Sequence, residues 1–238
     1  MPNLLDHLLA VVLVGFFPIR AATFGYRRLQ IAGESEVGQV RRSLYLQALW
    51  IQWGLVIALG ALWMSRARAW SALGLVASGS PVFLGITGAA LAGTALLLVQ
   101  SRRGADDPRV LEVVMRRLAN VERMLPHTPS DLRLFRWLAV TAGVCEELLY
   151  RGFLLWYLGH WLGPAPSLAL ASIVFGIGHS YQGPRGVLVT AMVGVVLGLF
   201  YLMAGSLLPA MLLHAAGDLH SGTLAHAALS RREVGEAS

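Results

Sequence analysis

Apolar runs long enough to cross a bilayer recur along the chain, at 4–19, 44–64, 82–99, 134–158, 165–179, 186–204 and 206–227. A bilayer core about 30 Å thick takes roughly 20 apolar residues as a helix. No water reaches that core, so backbone polar groups must be satisfied within the segment itself, which helices of this length achieve. The pattern predicts an all-α, polytopic integral membrane bundle of about seven transmembrane helices, six to eight if the short first and fifth runs are judged differently. The stretch 70–80 is a candidate half-span or re-entrant piece. Composition agrees, with 56% hydrophobic and only 13% charged residues, unlike a soluble domain.

All 19 basic residues are arginine, and the formal net charge is +6. In a soluble protein this excess would point to nucleic acid. Here the arginines cluster between apolar runs, where they set topology, so no nucleic-acid partner is expected. Sixteen of the 19 lie in or at the edges of the tail and of the segments joining runs one and two, three and four, and five and six. The opposite side carries only Arg66 and Arg68, and Arg151 lies within a run. This asymmetry predicts an N-terminus outside and a C-terminus in the cytoplasm. Arginine without lysine suits a GC-rich bacterial genome, which makes the bacterial cytoplasmic (inner) membrane the expected location. The first run lacks a basic flank and a small-residue cleavage site, and so reads as a span, not a removed signal. The single cysteine, Cys145, rules out a disulfide framework.

The chain reads as one membrane domain. Residues 1–133 hold the N-terminal spans and a connector, 134–227 a core carrying most of the intramembrane polar groups, and 228–238 a short tail. Within the connector, Asp106-Asp107-Pro108 has the character of a helix start. Val110, Val113, Val114, Leu118, Val121 and Leu125 follow at helical spacing, with Arg109, Arg116, Arg117 and Arg123 among them. This predicts a basic amphipathic helix on the cytoplasmic membrane surface.

Run 134–158 contains Glu146, Glu147 and Arg151, and a charge at mid-bilayer costs at least ~2.5–3.5 kcal/mol on insertion scales. Glu147 and Arg151 are i,i+4 and can pair on one helix face, while Glu146 lies about 100° around and keeps its carboxylate free. At 1.5 Å per residue, Glu146 is ~18 Å from the outer end of its run, and His179 is ~21 Å from the outer end of its own. His214 and Asp218, also i,i+4, lie at ~12 and ~18 Å in the last run. Four ionisable groups from three helices thus share one depth, and polar side chains face the bundle interior. A carboxylate and an imidazole around one water can deprotonate it for attack on a carbonyl, while a second imidazole and acid stabilise the oxyanion. Glutamates and histidines can also hold zinc with one open position, although no H-E-x-x-H occurs.

Glu146-Glu147-x-x-x-Arg151, Phe175-x-x-x-His179 and His214-x-x-x-Asp218 together resemble the three motifs of the CAAX prenyl protease and bacteriocin-processing family (CPBP, or Abi) of intramembrane proteases. Arg151-Gly152-Phe153 and Ser206-Leu207-Leu208-Pro209-Ala210-Met211 extend the likeness, which covers roughly residues 134–220. The third motif of that family often ends in Asn, where this chain has Asp218. The resemblance implies that Glu146 and His179 activate the attacking water, that Glu147 and Arg151 support them, and that His214 and Asp218 face the scissile carbonyl oxygen. The family is usually labelled metalloprotease, with a metal-free glutamate mechanism as the competing account. Metal-free activation is the favoured reading. Were zinc to bind, Glu146, His179 and His214 would be its ligands, with Asp218 orienting His214 from outside. The implied substrate is a membrane-associated peptide or protein, CAAX-like or bacteriocin-like.

Other classes fit less well. Val76-Ala77-Ser78-Gly79 lies outside a clear span and makes a poor serine-protease loop. An aspartyl protease needs two intramembrane aspartates, and Asp218 stands alone. Cys145 adjoins Glu146, whose charge opposes a second anion, and reads as a small packing residue. A non-enzymatic scaffold or immunity protein keeping the family fold is the main alternative. A proton-coupled transporter would show two related halves, and no such repeat is visible.

Overall fold

The computed structural model describes residues 1–20 and 26–236, with side chains as far as Arg232. Among the described residues it is helical throughout, without strands. Every apolar run is a helix or most of one. The first is α1 (Leu4–Val11), a π-helical turn and α2 (Phe17–Arg20), followed by short α3 (Tyr26–Ile31) and long α4 (Val37–Ser65). α5 (Pro81–Ala105) leads through α6 (Pro108–Leu118) and a 3-10 stretch at Ala119–Met124 to α7 (Pro129–Glu146). α7 continues as a π-helix, Glu147–Leu154, and then as α8 (Leu155–Gly159). α9 (Pro164–Ile177), α10 (Gly183–Ala204) and α11 (Leu208–Glu236) complete the bundle. Three described helices are long and apolar enough to cross a membrane: α4, α5, and α10 with its preceding turn, Ser180–Ala204. α9 is apolar but shorter.

Two sequence expectations need revision at their ends. The fifth run stops being helix at Ile177, so His179 lies in a turn beyond it, just before a 3-10 segment, Ser180–Gln182. The stretch 70–80 is a 3-10 turn, Trp70–Leu73, followed by irregular chain, not a half-span. Leu73 is nevertheless buried in the main core with Leu13, Leu59, Trp63, Phe153 and Leu207. The turn closes at Gly74, whose φ of +76° only glycine adopts freely. A Cβ there would lie 2.4 Å from the Tyr201 ring, and the Gly74 carbonyl accepts from Leu207 N–H at 3.0 Å.

Charged clamps finish both ends of α4. At one end Arg68 makes two 2.7 Å hydrogen bonds to buried Asp6 and lies over the rings of Trp63 and Trp156. At the other, Arg41 donates to Asp131 at 2.9 Å and to the Arg123 carbonyl at 2.7 Å. Burial alone would raise the Asp131 carboxyl, but Arg41 and the Thr128 N–H hold it below the ordinary carboxylate value. Arg123 in turn donates to the carbonyls of Leu29, Gln30 and Ala32, satisfying the open end of α3. These bonds, with Tyr45 donating to the Met124 carbonyl, strap the 119–124 segment across the bundle.

The basic amphipathic helix begins where Asp107 caps it. Its apolar face is turned onto α11, Leu111 meeting Leu224 and Ala228, while Val121 and Leu125 of the following stretch meet Ala225 and Leu229. Arg109, Arg116 and Arg117 are exposed. Part of the apolar face that periodicity identifies is thus covered by α11.

α11 packs against α5, α7 and α10, and its backbone comes close to that of α7 at Gly143. A Cβ on Gly143 would lie 2.7 Å from both the backbone nitrogen and the Cβ of Ala215, the neighbour of His214. Small residues allow such contact between membrane helices. Gly143→Ala should therefore force α7 and α11 apart at the depth of His214, costing about 1–3 kcal/mol as overpacking does. Thermal unfolding in detergent measures this, and an unchanged melting temperature with unchanged activity would contradict the contact.

Candidate active site

Glu147 is fully buried and carries the centre of a polar network. Its Oε1 accepts from Arg151 Nη1 at 2.8 Å and from His214 Nδ1 at 2.7 Å. Arg151, almost as deeply buried, lies with its guanidinium 4.2 Å from the centre of the Phe175 ring. The same ring meets His214 edge-on and His179 at 4.8 Å, so one phenyl group spaces both imidazoles. The expected i,i+4 pair Glu147–Arg151 thus forms, even though a π-helix begins at Glu147.

Glu146 points the other way, into a cavity of about 580 Å³ lined by Gln52, Glu146, Tyr181, His179, His214 and Asp218 among others. Its Oε1 accepts from Gln52 Nε2 at 2.9 Å, and its buried Oε2 has no hydrogen-bond partner. His214 Nε2 lies 3.9 Å from that Oε2 and 3.7 Å from Asp218 Oδ2. The i,i+4 relation of His214 and Asp218 therefore holds, with Asp218 the more exposed of the two, at 42%. His179 Nδ1 donates to the Phe175 carbonyl at 2.8 Å, since that oxygen can only accept. The bond fixes the tautomer and leaves the Nε2 lone pair available. In His214, the Nδ1 contact with the Glu147 carboxylate likewise directs Nε2 to the remaining chemistry.

Five of the six expected residues, Glu146, Glu147, Arg151, His214 and Asp218, form one connected cluster. His179 joins them across the cavity and through Phe175. Glu147 and Arg151 do not line the cavity. Among the described residues, no group of three or more His, Cys, Asp or Glu side chains is disposed to hold a metal ion together. Sequence reasoning passed over Gln52, Tyr181 and Gln182, which also line the cavity. For Gln52 a signal existed, an amide within an apolar run, and such groups face the interior.

An all-helical bundle with an acid and imidazole cluster around an internal cavity has the groups needed to handle a proton and a polar bond. Residues 128–220 match the family model "Type II CAAX prenyl endopeptidase Rce1-like". The match runs from the cap of α7 into α11, so this segment of the chain is similar to that family's domain. No curated protein and no solved structure matches the chain.

Proposed function

We propose that the chain is an intramembrane endopeptidase in which Glu146 and His179 activate water to cleave a peptide bond of a membrane-associated substrate, CAAX-like or bacteriocin-like. The observation carrying this reading is the unpartnered Oε2 of Glu146, a residue that lines the same cavity as His179 and His214. Glu146 Oε2 takes a proton from a water that His179 Nε2 helps to orient, and the resulting hydroxide adds to the carbonyl carbon. His214, doubly protonated with its Nδ1–H on Glu147, donates from Nε2 to the oxygen that becomes negative, and Asp218 adds a second donor when its carboxyl is protonated. Collapse of the tetrahedral intermediate breaks the C–N bond, and Glu146 passes its proton to the leaving amine. Glu147 and Arg151 neutralise each other and fix the His214 ring.

Leu118, Val121, Met124 and Leu125, on the arginine-rich side of the bundle, line the cavity. With that side in the cytoplasm of a bacterial inner membrane, substrate enters from the cytoplasm or the adjoining leaflet. The test is purified protein in detergent, assayed on a peptide library with metal analysis of the same sample. Proteolysis should persist in a strong chelator, with well under one metal ion per chain. Loss on chelation and rescue by added zinc would instead assign the water to a metal held by the same side chains, and absence of any cleavage dependent on Glu146 would remove the endopeptidase reading.

A further inference from the structure

Gln52 lies midway along α4, well outside the segment 128–220 that carries the family match, yet it makes direct contact with Glu146. Its side chain is 7% exposed, and it lines both the main cavity and an adjoining one of about 160 Å³ that leads past Ala48 and Gln47 to Arg20. One residue further on, Trp53 Nε1 donates to Thr141 Oγ1 at 3.3 Å, which ties the same stretch of α4 to α7. Among the described residues, Gln52 makes the one hydrogen bond to the Glu146 side chain, because His214 Nε2 at 3.9 Å is beyond bonding distance.

We propose that Gln52 is a positioning residue for Glu146: it holds Oε1 and so presents Oε2 as the oxygen that takes the proton from water. The proposal rests on the endopeptidase reading above. The terminal torsion of a glutamate is broad and two-fold, so an unrestrained carboxylate would exchange its oxygens and wander from the attack geometry. An error of 1 Å in such a geometry can cost about 10²-fold in rate. The kind of donor matters as much as its place. Glu147, one residue along, is met by the cation Arg151, which holds the anion and opposes its protonation. Glu146 is met by a neutral amide, which fixes the group while leaving it able to gain and lose a proton in each turnover. Two adjacent glutamates are thereby divided into a brace and a base by what faces them.

The test compares wild type, Gln52→Met, which keeps the length but removes the donor, and Gln52→His, whose ring N–H restores one. The probe is a fluorogenic peptide that the wild type cleaves in the library assay. The expected result is a fall in kcat of about 10–100-fold for Gln52→Met with KM within twofold, and partial recovery in Gln52→His. Should Gln52→Met fail to fold, Gln52→Asn, which draws the amide back by about one 1.5 Å bond, is judged by the same split. A kcat equal to wild type, or a loss confined to KM, overturns the proposal. Infrared difference spectra supply a readout that needs no turnover. The carboxylate band assigned by subtraction of Glu146→Gln should shift in Gln52→Met. A shifted band in a protein that cleaves nothing would retain the hydrogen bond and refute the hydrolytic reading, whereas cleavage with an unshifted band would refute the role of Gln52 alone.

Discussion

Replacing Glu146 by glutamine is expected to lower peptide hydrolysis by at least ~10²–10⁴-fold, the usual measure of a lost general base, while the protein still folds. The substitution keeps the shape of the side chain, and the carbonyl oxygen of the new amide can still accept from Gln52 Nε2, so the contact between α4 and α7 survives. What disappears is the oxygen that takes a proton. Oε2 has no partner in the protein, so its replacement by an amide nitrogen breaks no existing hydrogen bond. Melting temperature and detergent elution should therefore match wild type. Retention of more than a tenth of the activity would exclude Glu146 as the base. Loss of activity together with folded yield would show a structural role in its place.

Much of this arrangement is legible in the sequence because run length and helical spacing are local properties. The seven apolar runs all correspond to helix, and the i,i+4 relations Glu147–Arg151 and His214–Asp218 survive as contacts of 2.8 and 3.7 Å. What could not be read depends on partners distant in sequence. Glu147 binds His214 across 67 positions, and Glu146 binds Gln52 across 94, and no spacing rule connects them. α9 ends two residues short of the apolar run because glycines at 176 and 178 and the following 3-10 turn release His179 from the helix, although its Nδ1 still reaches back to Phe175. The π-helix from Glu147 to Leu154 has no compositional signature, since every residue in it is also acceptable in an α-helix. The amphipathic connector shows a further limit. Its pattern demands that one face be covered, but whether α11 or lipid supplies the cover is decided by tertiary packing.

Glu147→Gln should behave quite differently from Glu146→Gln, and the difference is thermodynamic. Glu147 is the shared acceptor of Arg151 and His214, and all three side chains are at least nine-tenths buried. Removing its charge leaves the Arg151 cation in a low-dielectric interior with an amide oxygen and the Phe175 ring against it in place of the bonded carboxylate. Breaking one side of a buried pair in this way costs about 3–5 kcal/mol, so the variant should melt well below wild type and accumulate poorly in membranes. Removing both members has another outcome. A well-packed apolar replacement of a buried ion pair is often neutral or stabilising, so Glu147→Leu combined with Arg151→Met should recover much of the lost stability. Activity should not return with it, because His214 Nδ1 would have lost the carboxylate that aligns its ring. Melting temperatures and peptide hydrolysis measured on the two single variants and the double variant separate these roles. Recovery of both properties in the double variant would show that Glu147 only neutralises Arg151, and recovery of neither would show that the pair is needed to fold the π-helical segment itself.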